Sequence, residues 1–238
     1  MFIELKENFN LRTNDFDIND KVLISSILDL FQIIAAKHAS NLGIGFSDLI
    51  KDNRIWVVIR NRVEIYKQPK IESKVTVKTY PLPLGKIDAN RCYEIYDEND
   101  ELLVRGISKW VNVDTSSRRV IRLSGISYGD GELYQTNELL ERFTKITDFA
   151  ENGVKIKVKP SYLDLDHNGH INNSKYINFV INNIKELHHK EIVSCQIEYI
   201  QELKDEEFEL LYSLEGNKLL AKGITEKGIH FIMEIITK

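Results

Sequence analysis

The sequence predicts an α+β fold built from two similar halves, and three observations support this prediction. A segment with apolar residues at helical spacing, 21–39, is followed by several runs whose apolar residues alternate as in β-strands. The same order of a helix and then several strands starts again after about residue 154. Short stretches of the two parts also align with each other. One helix followed by antiparallel strands, repeated once, is typical of an α+β layout.

The first half contains one long predicted helix and four predicted strands. The apolar positions of the helix are Val22, Ile27, Leu28, Phe31, Ile34 and Ala35. The strand patterns that follow are separated by turn residues, and they lie at about 56–66, 73–80, 89–97 and 102–114. The charged segment at about 130–148 has the pattern of a helical connector.

The second half repeats this order of elements. A strand is predicted at 154–159, and a helix is predicted after Asn172, where apolar residues from Tyr176 to Leu187 form a wide stripe. Four further strand patterns follow, at about 192–200, 207–215, 218–225 and 229–237. The two halves are therefore expected to share one architecture.

Two alignments support a duplication, and they also show where the halves differ. Residues 15–22 (DFDINDKV) align with 164–171 (DLDHNGHI), and 63–70 (VEIYKQPK) align with 197–204 (IEYIQELK). His170 stands where the first half has Lys21, and Glu202 stands where it has Gln68. Histidine and glutamate can act as general acid or base near neutral pH, whereas glutamine cannot titrate, so chemistry confined to the second half is one interpretation. Unselected drift at surface positions is the other.

The composition is that of an ordinary globular protein. The chain has 238 residues, of which 42% are hydrophobic and 29% are charged, and this can form a proper core. The formal net charge of −4 argues against nucleic-acid binding. Two cysteines are too few for a disulfide framework. The N-terminal residues lack the pattern of a signal peptide and no run is long enough for a membrane span, so we expect a cytoplasmic protein.

The most informative run is 164–176, which reads DLDHNGHINNSKY. It crowds Asp, Asn and His side chains at the start of the second predicted helix. A helix N-terminus offers free backbone N–H groups and a partial positive charge, which suits a developing oxyanion. Asp and Asn are also common helix caps, so a turn without chemistry is an equal alternative from this run alone.

This run resembles the second-half signature of the acyl-acyl-carrier-protein (acyl-ACP) thioesterases, D-L-D-x-N-x-H-x-N-N-x-x-Y. The family's downstream [LI]-E-Y-x-x-E element is matched by 197–202. The first half is similar to the family at 54–58 with 63–65, at 91–95, and at Trp110 before Asp114 and Arg118-Arg119. The resemblance covers about residues 5–235.

The resemblance implies a tandem double hotdog, in which each half has a long central helix wrapped by a curved antiparallel sheet. The N-terminal hotdog would span 1–128, hold the acyl-chain pocket and be catalytically degenerate. A helical connector at 129–150 would lead to a catalytic C-terminal hotdog at 151–238. The active site would lie between the two halves.

The resemblance also implies a catalytic network made of Asp166, Asn168, His170 and Glu202. In thioester hydrolysis Glu202 would be the general base or the nucleophile, while Asn168 and His170 would orient the water and the thioester. The role of Asp166 stays open between holding Asn168 and forming a structural Asx turn. The oxyanion would be bound by backbone N–H groups of Ile171, Asn172 and Asn173.

One position departs from the family pattern. Plant members have a cysteine directly after the strand glutamate, whereas this chain has Leu203. A cysteine nucleophile at that position is impossible here. Cys92 and Cys195 lie within apolar strand patterns, and we interpret both as core residues.

The implied function is hydrolysis of fatty acyl-ACP thioesters to free fatty acid in fatty acid biosynthesis. An acyl-CoA thioesterase and a catalytically silent acyl-binding protein are the alternatives. The implied partner is acyl carrier protein bearing an acylated phosphopantetheine arm. No cofactor and no zinc site are expected, and a homodimer of double hotdogs is left open.

A basic cluster of three residues is a weaker prediction. Arg118, Arg119 and Arg122 carry positive charge that could receive an acidic carrier protein. A solvated strand end is the simpler interpretation of the same residues.

Overall fold

The computed structural model describes residues 1–149 and 153–238. Three α-helices are present in these ranges: α1 (Ile24–Asn41), α2 (Phe46–Leu49) and α3 (Tyr176–Asn183). The strands of the first half are β1 (Leu5–Asn10), β2 (Arg54–Ile65), β3 (Lys74–Pro81), β4 (Asp88–Tyr96), β5 (Leu102–Asp114) and β6 (Val120–Ile121). The strands of the second half are β7 (Val154–Val158), β8 (Ile192–Tyr199), β9 (Phe208–Glu215), β10 (Lys218–Thr225) and β11 (Gly228–Thr237).

All these strands belong to one antiparallel sheet whose two halves have the same strand order. The first half reads β1-β3-β4-β5-β2, and the second reads β7-β9-β10-β11-β8 from its own outer edge. The two halves meet where β2 pairs with β8, from Arg60 opposite Glu198 to Glu64 opposite Ser194. At this seam the Arg60 guanidinium donates to the Glu198 carboxylate over 3.0 Å. The α+β class and the repeated order of elements are therefore confirmed.

The core is continuous across the halves because α1 and α3 bury their apolar faces in one cluster that both halves share. In the first half the Phe31 ring stacks on Tyr93 with ring centroids 4.2 Å apart. Gly106 leaves the space that Phe31 fills, since a Cβ there would lie 2.1 Å from the ring. The two halves therefore share one hydrophobic core.

Two predicted elements differ from the structure. The second helix is short: α3 ends at Asn183, and three-residue 3₁₀ turns flank it at Asn173–Lys175 and Lys185–Leu187. The connector is not helical, because 129–149 contains only the 3₁₀ turn Leu140–Arg142. Leu139 and Phe143 are buried on the outer face of the sheet, and this packing overrides the local helical pattern. Residues 150–152 of the predicted connector and second domain lie outside the described residues.

Among the described residues, no helix has both the length and the apolar content that a membrane crossing needs. The longest helix is α1, which has 18 residues.

Candidate active site

The aligned segments 15–22 and 164–171 form the same tight turn in the two halves. In the second half Asp166 Oδ1 accepts the backbone N–H groups of Asn168 (2.8 Å) and His170 (3.1 Å). In the first half Asp17 Oδ1 accepts those of Asn19 (2.8 Å) and Lys21 (2.9 Å). The repeated contacts show that this Asx turn is structural, and Asp166 shapes the turn in addition to any part in the chemistry.

The left-handed position of the turn also corresponds between the halves. Gly169 has φ +74°, and Asp20 at the matching position of the first half has φ +58°. Glycine adopts this conformation at no steric cost, and aspartate is among the residues that tolerate it.

The Asn168 side chain is bonded within its own turn. Asn168 is exposed, and its side-chain Nδ2 lies 3.5 Å from Asp166 Oδ2. In the described part of the chain this is its only side-chain hydrogen bond. The structure thus groups Asn168 with Asp166 rather than with Glu202.

Two of the three amides predicted to bind an oxyanion are already occupied. The Ile171 N–H donates to the Leu203 carbonyl over 2.8 Å, and the Asn172 N–H donates to the Asp164 carbonyl over 2.9 Å. The prediction for these two residues is wrong, because the chain's own loops satisfy the amides before any substrate binds. Asn173 opens the 3₁₀ turn, where N–H groups lack a partner within the turn, so it stays a candidate donor.

His170 and Glu202 do come together, as the sequence predicts. His170 Nε2 lies 3.3 Å from Glu202 Oε2. The His170 side chain is 20% exposed and that of Glu202 is 50% exposed, so water and substrate can reach the carboxylate. A titratable imidazole and a carboxylate at this separation can share or relay a proton.

A third group at this carboxylate comes from the first half. The guanidinium of Arg118, in the turn after β5, donates to both carboxylate oxygens of Glu202. Arg118 was predicted to contact a carrier protein, and its contact with Glu202 was missed. Arg119 and Arg122 are exposed, and no contact to Glu202 is seen for either in the described structure.

The backbone of Glu202 is held by a histidine that sequence reasoning also missed. His230 on β11 is buried, and its Nδ1 donates to the Glu202 carbonyl over 3.1 Å. Its Nε2 lies 2.8 Å from the Thr225 hydroxyl. Leu203, which directly follows Glu202, is fully buried in the core. An apolar leucine directly after a glutamate could have indicated that Leu203 faces the core and Glu202 faces solvent.

The matching position of the first half lacks this chemistry. Gln68 Oε1 accepts the Val22 N–H over 3.2 Å, so the glutamine amide caps the turn. Lys21 lies 3.8 Å from Glu191, which belongs to the second half. A lysine and an amide replace the histidine and the carboxylate.

No group of three or more His, Cys, Asp or Glu side chains in 1–149 and 153–238 is arranged to hold a metal ion.

Both halves match the sequence models of one protein family. Residues 3–125 match the acyl-ACP thioesterase N-terminal domain, and residues 148–236 match the acyl-ACP thioesterase C-terminal domain. The chain belongs to the acyl-ACP thioesterase family. The resemblance drawn from 164–176 and 197–202 is therefore confirmed.

Curated plant relatives in the acyl-ACP thioesterase family align over most of the chain. An oleoyl-acyl carrier protein thioesterase of Coriandrum sativum is 27% identical over 225 residues, covering 86% of this chain and 61% of the relative. A palmitoyl-acyl carrier protein thioesterase of Arabidopsis thaliana is 30% identical over 212 residues, covering 83% of this chain and 52% of the relative. The chain thus spans between half and two thirds of the length of these chloroplastic proteins.

Solved structures of the family share the fold. An acyl-ACP thioesterase from Bacteroides thetaiotaomicron superposes with a TM-score of 0.90 at 21% identity, covering 99% of this chain and 98% of the other. A 12:0-ACP thioesterase from Umbellularia californica superposes with a TM-score of 0.81 at 20% identity, covering 99% and 97%.

Neither cysteine of this acyl-ACP thioesterase family member is placed to attack a substrate. Cys92 and Cys195 are free and buried, as predicted. Burial, joined at Cys92 by the nearby Glu94 carboxylate, raises the pKa of each thiol to about 12. A thiol with this pKa is protonated at neutral pH and is a weak nucleophile.

We expect the Cys195→Ala protein to keep at least about one third of wild-type turnover, because its thiol is buried and un-ionised. Steady-state thioester hydrolysis checks this, with the thermal unfolding midpoint showing that the variant is folded. A loss as large as that expected for a catalytic group would assign the reaction to Cys195 instead.

The first half contains a cavity of about 220 Å³ beside the C-terminal part of α1. Its wall is formed by small and aromatic side chains, including Ala35, Ala36, Ala39, Trp56, Trp110 and Tyr128. Arg91 also lines it, with Nη1 3.0 Å from His38 Nδ1. Burial, and then the Arg91 charge, lower the pKa of His38 to about 4, so the imidazole is neutral at pH 7.

Proposed function

We propose that the protein hydrolyses fatty acyl-ACP thioesters and releases free fatty acid and carrier protein. The single observation that carries this proposal is the accessible Glu202 carboxylate beside His170, found in one half of a duplicated chain whose other half has Gln68 and Lys21. Family membership supports the thioester chemistry, and the relatives' names support the carrier-bound substrate.

In the proposed reaction Glu202 activates the attacking oxygen. As a general base it takes a proton from water while the water oxygen bonds to the carbonyl carbon. The C–S bond then breaks, and the proton passes to the leaving thiolate. As a nucleophile, Glu202 would form an acyl anhydride and release the thiolate, and water would hydrolyse the anhydride. In both routes His170 holds the carboxylate and can carry the proton.

We propose that each half is a hotdog domain, with boundaries near 1–128 and 151–238. The repeated strand order and the packing of α1 and α3 against one sheet support this assignment. The second helix is shorter than the resemblance implies, and the described part of the connector, 129–149, is irregular apart from the 3₁₀ turn Leu140–Arg142.

We propose that the acyl chain lies in the cavity beside α1. Cavities of about 150 Å³ lined by apolar side chains bind benzene-sized ligands, so 220 Å³ suits a stretch of hydrocarbon chain. The three alanines of α1 leave this space open, and the aromatic side chains opposite supply apolar contact.

The preference for acyl-ACP over acyl-CoA tests whether the carrier protein is part of the substrate. We expect kcat/KM to be at least about tenfold higher for an acyl-ACP than for the acyl-CoA of the same chain, since a carrier protein adds contact surface that CoA lacks. Rates on matched acyl chains check this. A clear preference for CoA would identify an acyl-CoA thioesterase, and release of no fatty acid from either would favour a silent acyl-binding protein.

A further inference from the structure

Arg118 reaches the active site from the half that lacks catalytic groups. It lies in the turn between β5 and β6, and its guanidinium donates to both oxygens of the Glu202 carboxylate, which belongs to the second half. The catalytic carboxylate is therefore contacted by His170 of its own half and by Arg118 of the other.

The turn that carries Arg118 is built to hold one conformation. The Arg118 N–H donates to the Asp114 carbonyl over 2.9 Å, and its φ is +57°. Asp114 Oδ1 accepts the N–H groups of Ser117 (2.7 Å) and Ser116 (3.2 Å). These hydrogen bonds, with that of Ser117 the largest cause, lower the pKa of Asp114, so its carboxylate stays charged and keeps the turn closed.

The contact fixes geometry more than it stabilises the fold. Both side chains are 50% exposed, and exposed ion pairs add little to stability. Both carboxylate oxygens, however, accept from one guanidinium nitrogen, Arg118 Nη2, so the contact fixes where the charged end of the Glu202 side chain lies. Without Arg118, His170 would be the remaining side-chain partner of Glu202 among the described residues.

We propose that Arg118 is a positioning residue for Glu202, so that the first half completes the active site of the second. This role rests on the proposed thioesterase function. It replaces carrier docking as the role of Arg118, and it makes hydrolysis depend on correct packing of the two halves.

Arg119 provides a matched control. It follows Arg118 directly, carries the same charge and is exposed. No side-chain hydrogen bond or ion pair is seen for Arg119 within the described residues. A general effect of positive charge at this edge would appear in both arginine variants, whereas positioning of Glu202 belongs to Arg118 alone.

The experiment compares the wild type with Arg118→Ala, Arg118→Lys and Arg119→Ala on two substrates that share one acyl chain. One substrate is acyl-ACP and the other is the acyl-N-acetylcysteamine thioester, which has neither carrier protein nor phosphate. We expect Arg118→Ala to lower kcat by about 10- to 100-fold on both, with KM within about threefold, because a displaced catalytic group loses rate on any substrate. The kcat of Arg118→Lys should lie between those of the wild type and Arg118→Ala. Arg119→Ala should have the wild-type kcat on the small thioester.

Chemical rescue gives a readout that a merely structural role would not move. Added guanidinium should restore part of the kcat of Arg118→Ala and leave that of Arg119→Ala unchanged. Melting temperatures close to wild type would show that the variants are folded.

Three outcomes would overturn this role. A loss by Arg118→Ala on acyl-ACP alone would assign Arg118 to carrier docking, and equal or faster turnover on both substrates would show that the ion pair is dispensable or restrains Glu202. In both cases the active wild type would leave the proposed function standing. A wild type inactive on both thioesters would overturn the proposed function and this role with it.

Discussion

Glu202→Gln lowers kcat for thioester hydrolysis by at least about 100-fold, the loss typical of removing a general base or nucleophile. Glutamine keeps the size of the side chain but neither accepts the proton nor attacks the carbonyl carbon. Because the Glu202 side chain is half-exposed and its neighbour Leu203 carries the core packing, we expect the variant to fold. Initial rates on acyl-ACP, with thermal unfolding as a check of folding, provide the measurement.

Isotope labelling of the wild type separates the two routes proposed for Glu202. If the carboxylate is a nucleophile, single-turnover hydrolysis by the wild type in ¹⁸O-water places label in the Glu202 side chain, because water can attack either carbonyl of the anhydride. If it is a general base, the label appears only in the fatty acid. Near-normal turnover by a folded Glu202→Gln protein would refute both routes.

His170→Ala is expected to lower kcat by a similar factor of about 100 or more. His170 is the titratable group of the second half that faces Glu202, at 3.3 Å, and alanine can neither orient the carboxylate nor relay its proton. Steady-state kinetics on acyl-ACP and on a small thioester test this, and both rates should fall together.

Lys21→Ala is the matched control for His170, because Lys21 occupies the corresponding turn position of the first half. We expect it to keep wild-type turnover. Equal losses in the two variants would show that the turns matter for folding rather than that His170 matters for the reaction.

The main site residues were predictable because the chain is duplicated. Both halves keep the Asp and Asn that close the turn, and the structure shows that these form the same hydrogen bonds in each half. The residues that differ, His170 and Glu202, are the ones brought together. The comparison of the halves thus separates residues that shape the turn from residues that can react.

Arg118 could not be assigned to the site in the same way. It lies 84 residues from Glu202 along the chain, and the contact depends on which loop of the first half packs against the second. Periodicity predicts helices and strands within each half, but it does not specify which loops meet. Its basic neighbours also made a surface patch the simpler interpretation.

Tertiary packing explains the other errors. The amides of Ile171 and Asn172 look free at the start of a predicted helix. The Leu203 carbonyl comes from elsewhere in the fold and accepts the Ile171 N–H, and the run folds back so that the Asp164 carbonyl accepts the Asn172 N–H. The connector has a helical pattern, yet burial of Leu139 and Phe143 on the sheet leaves only a 3₁₀ turn between them in the described part, 129–149. Local patterns do not reveal such long-range partners.

The central claim is that the reacting carboxylate belongs to the second half. Its most direct test is to quantify the free fatty acid released from acyl-ACP by the wild type, Glu202→Gln and Gln68→Ala in parallel. Gln68 occupies the position of Glu202 in the first half, where its amide accepts the Val22 N–H. We predict that the wild type and Gln68→Ala release fatty acid at rates within about threefold, and that Glu202→Gln is at least about 100-fold slower. Equal release by Glu202→Gln and the wild type, or the larger loss in Gln68→Ala, would contradict it.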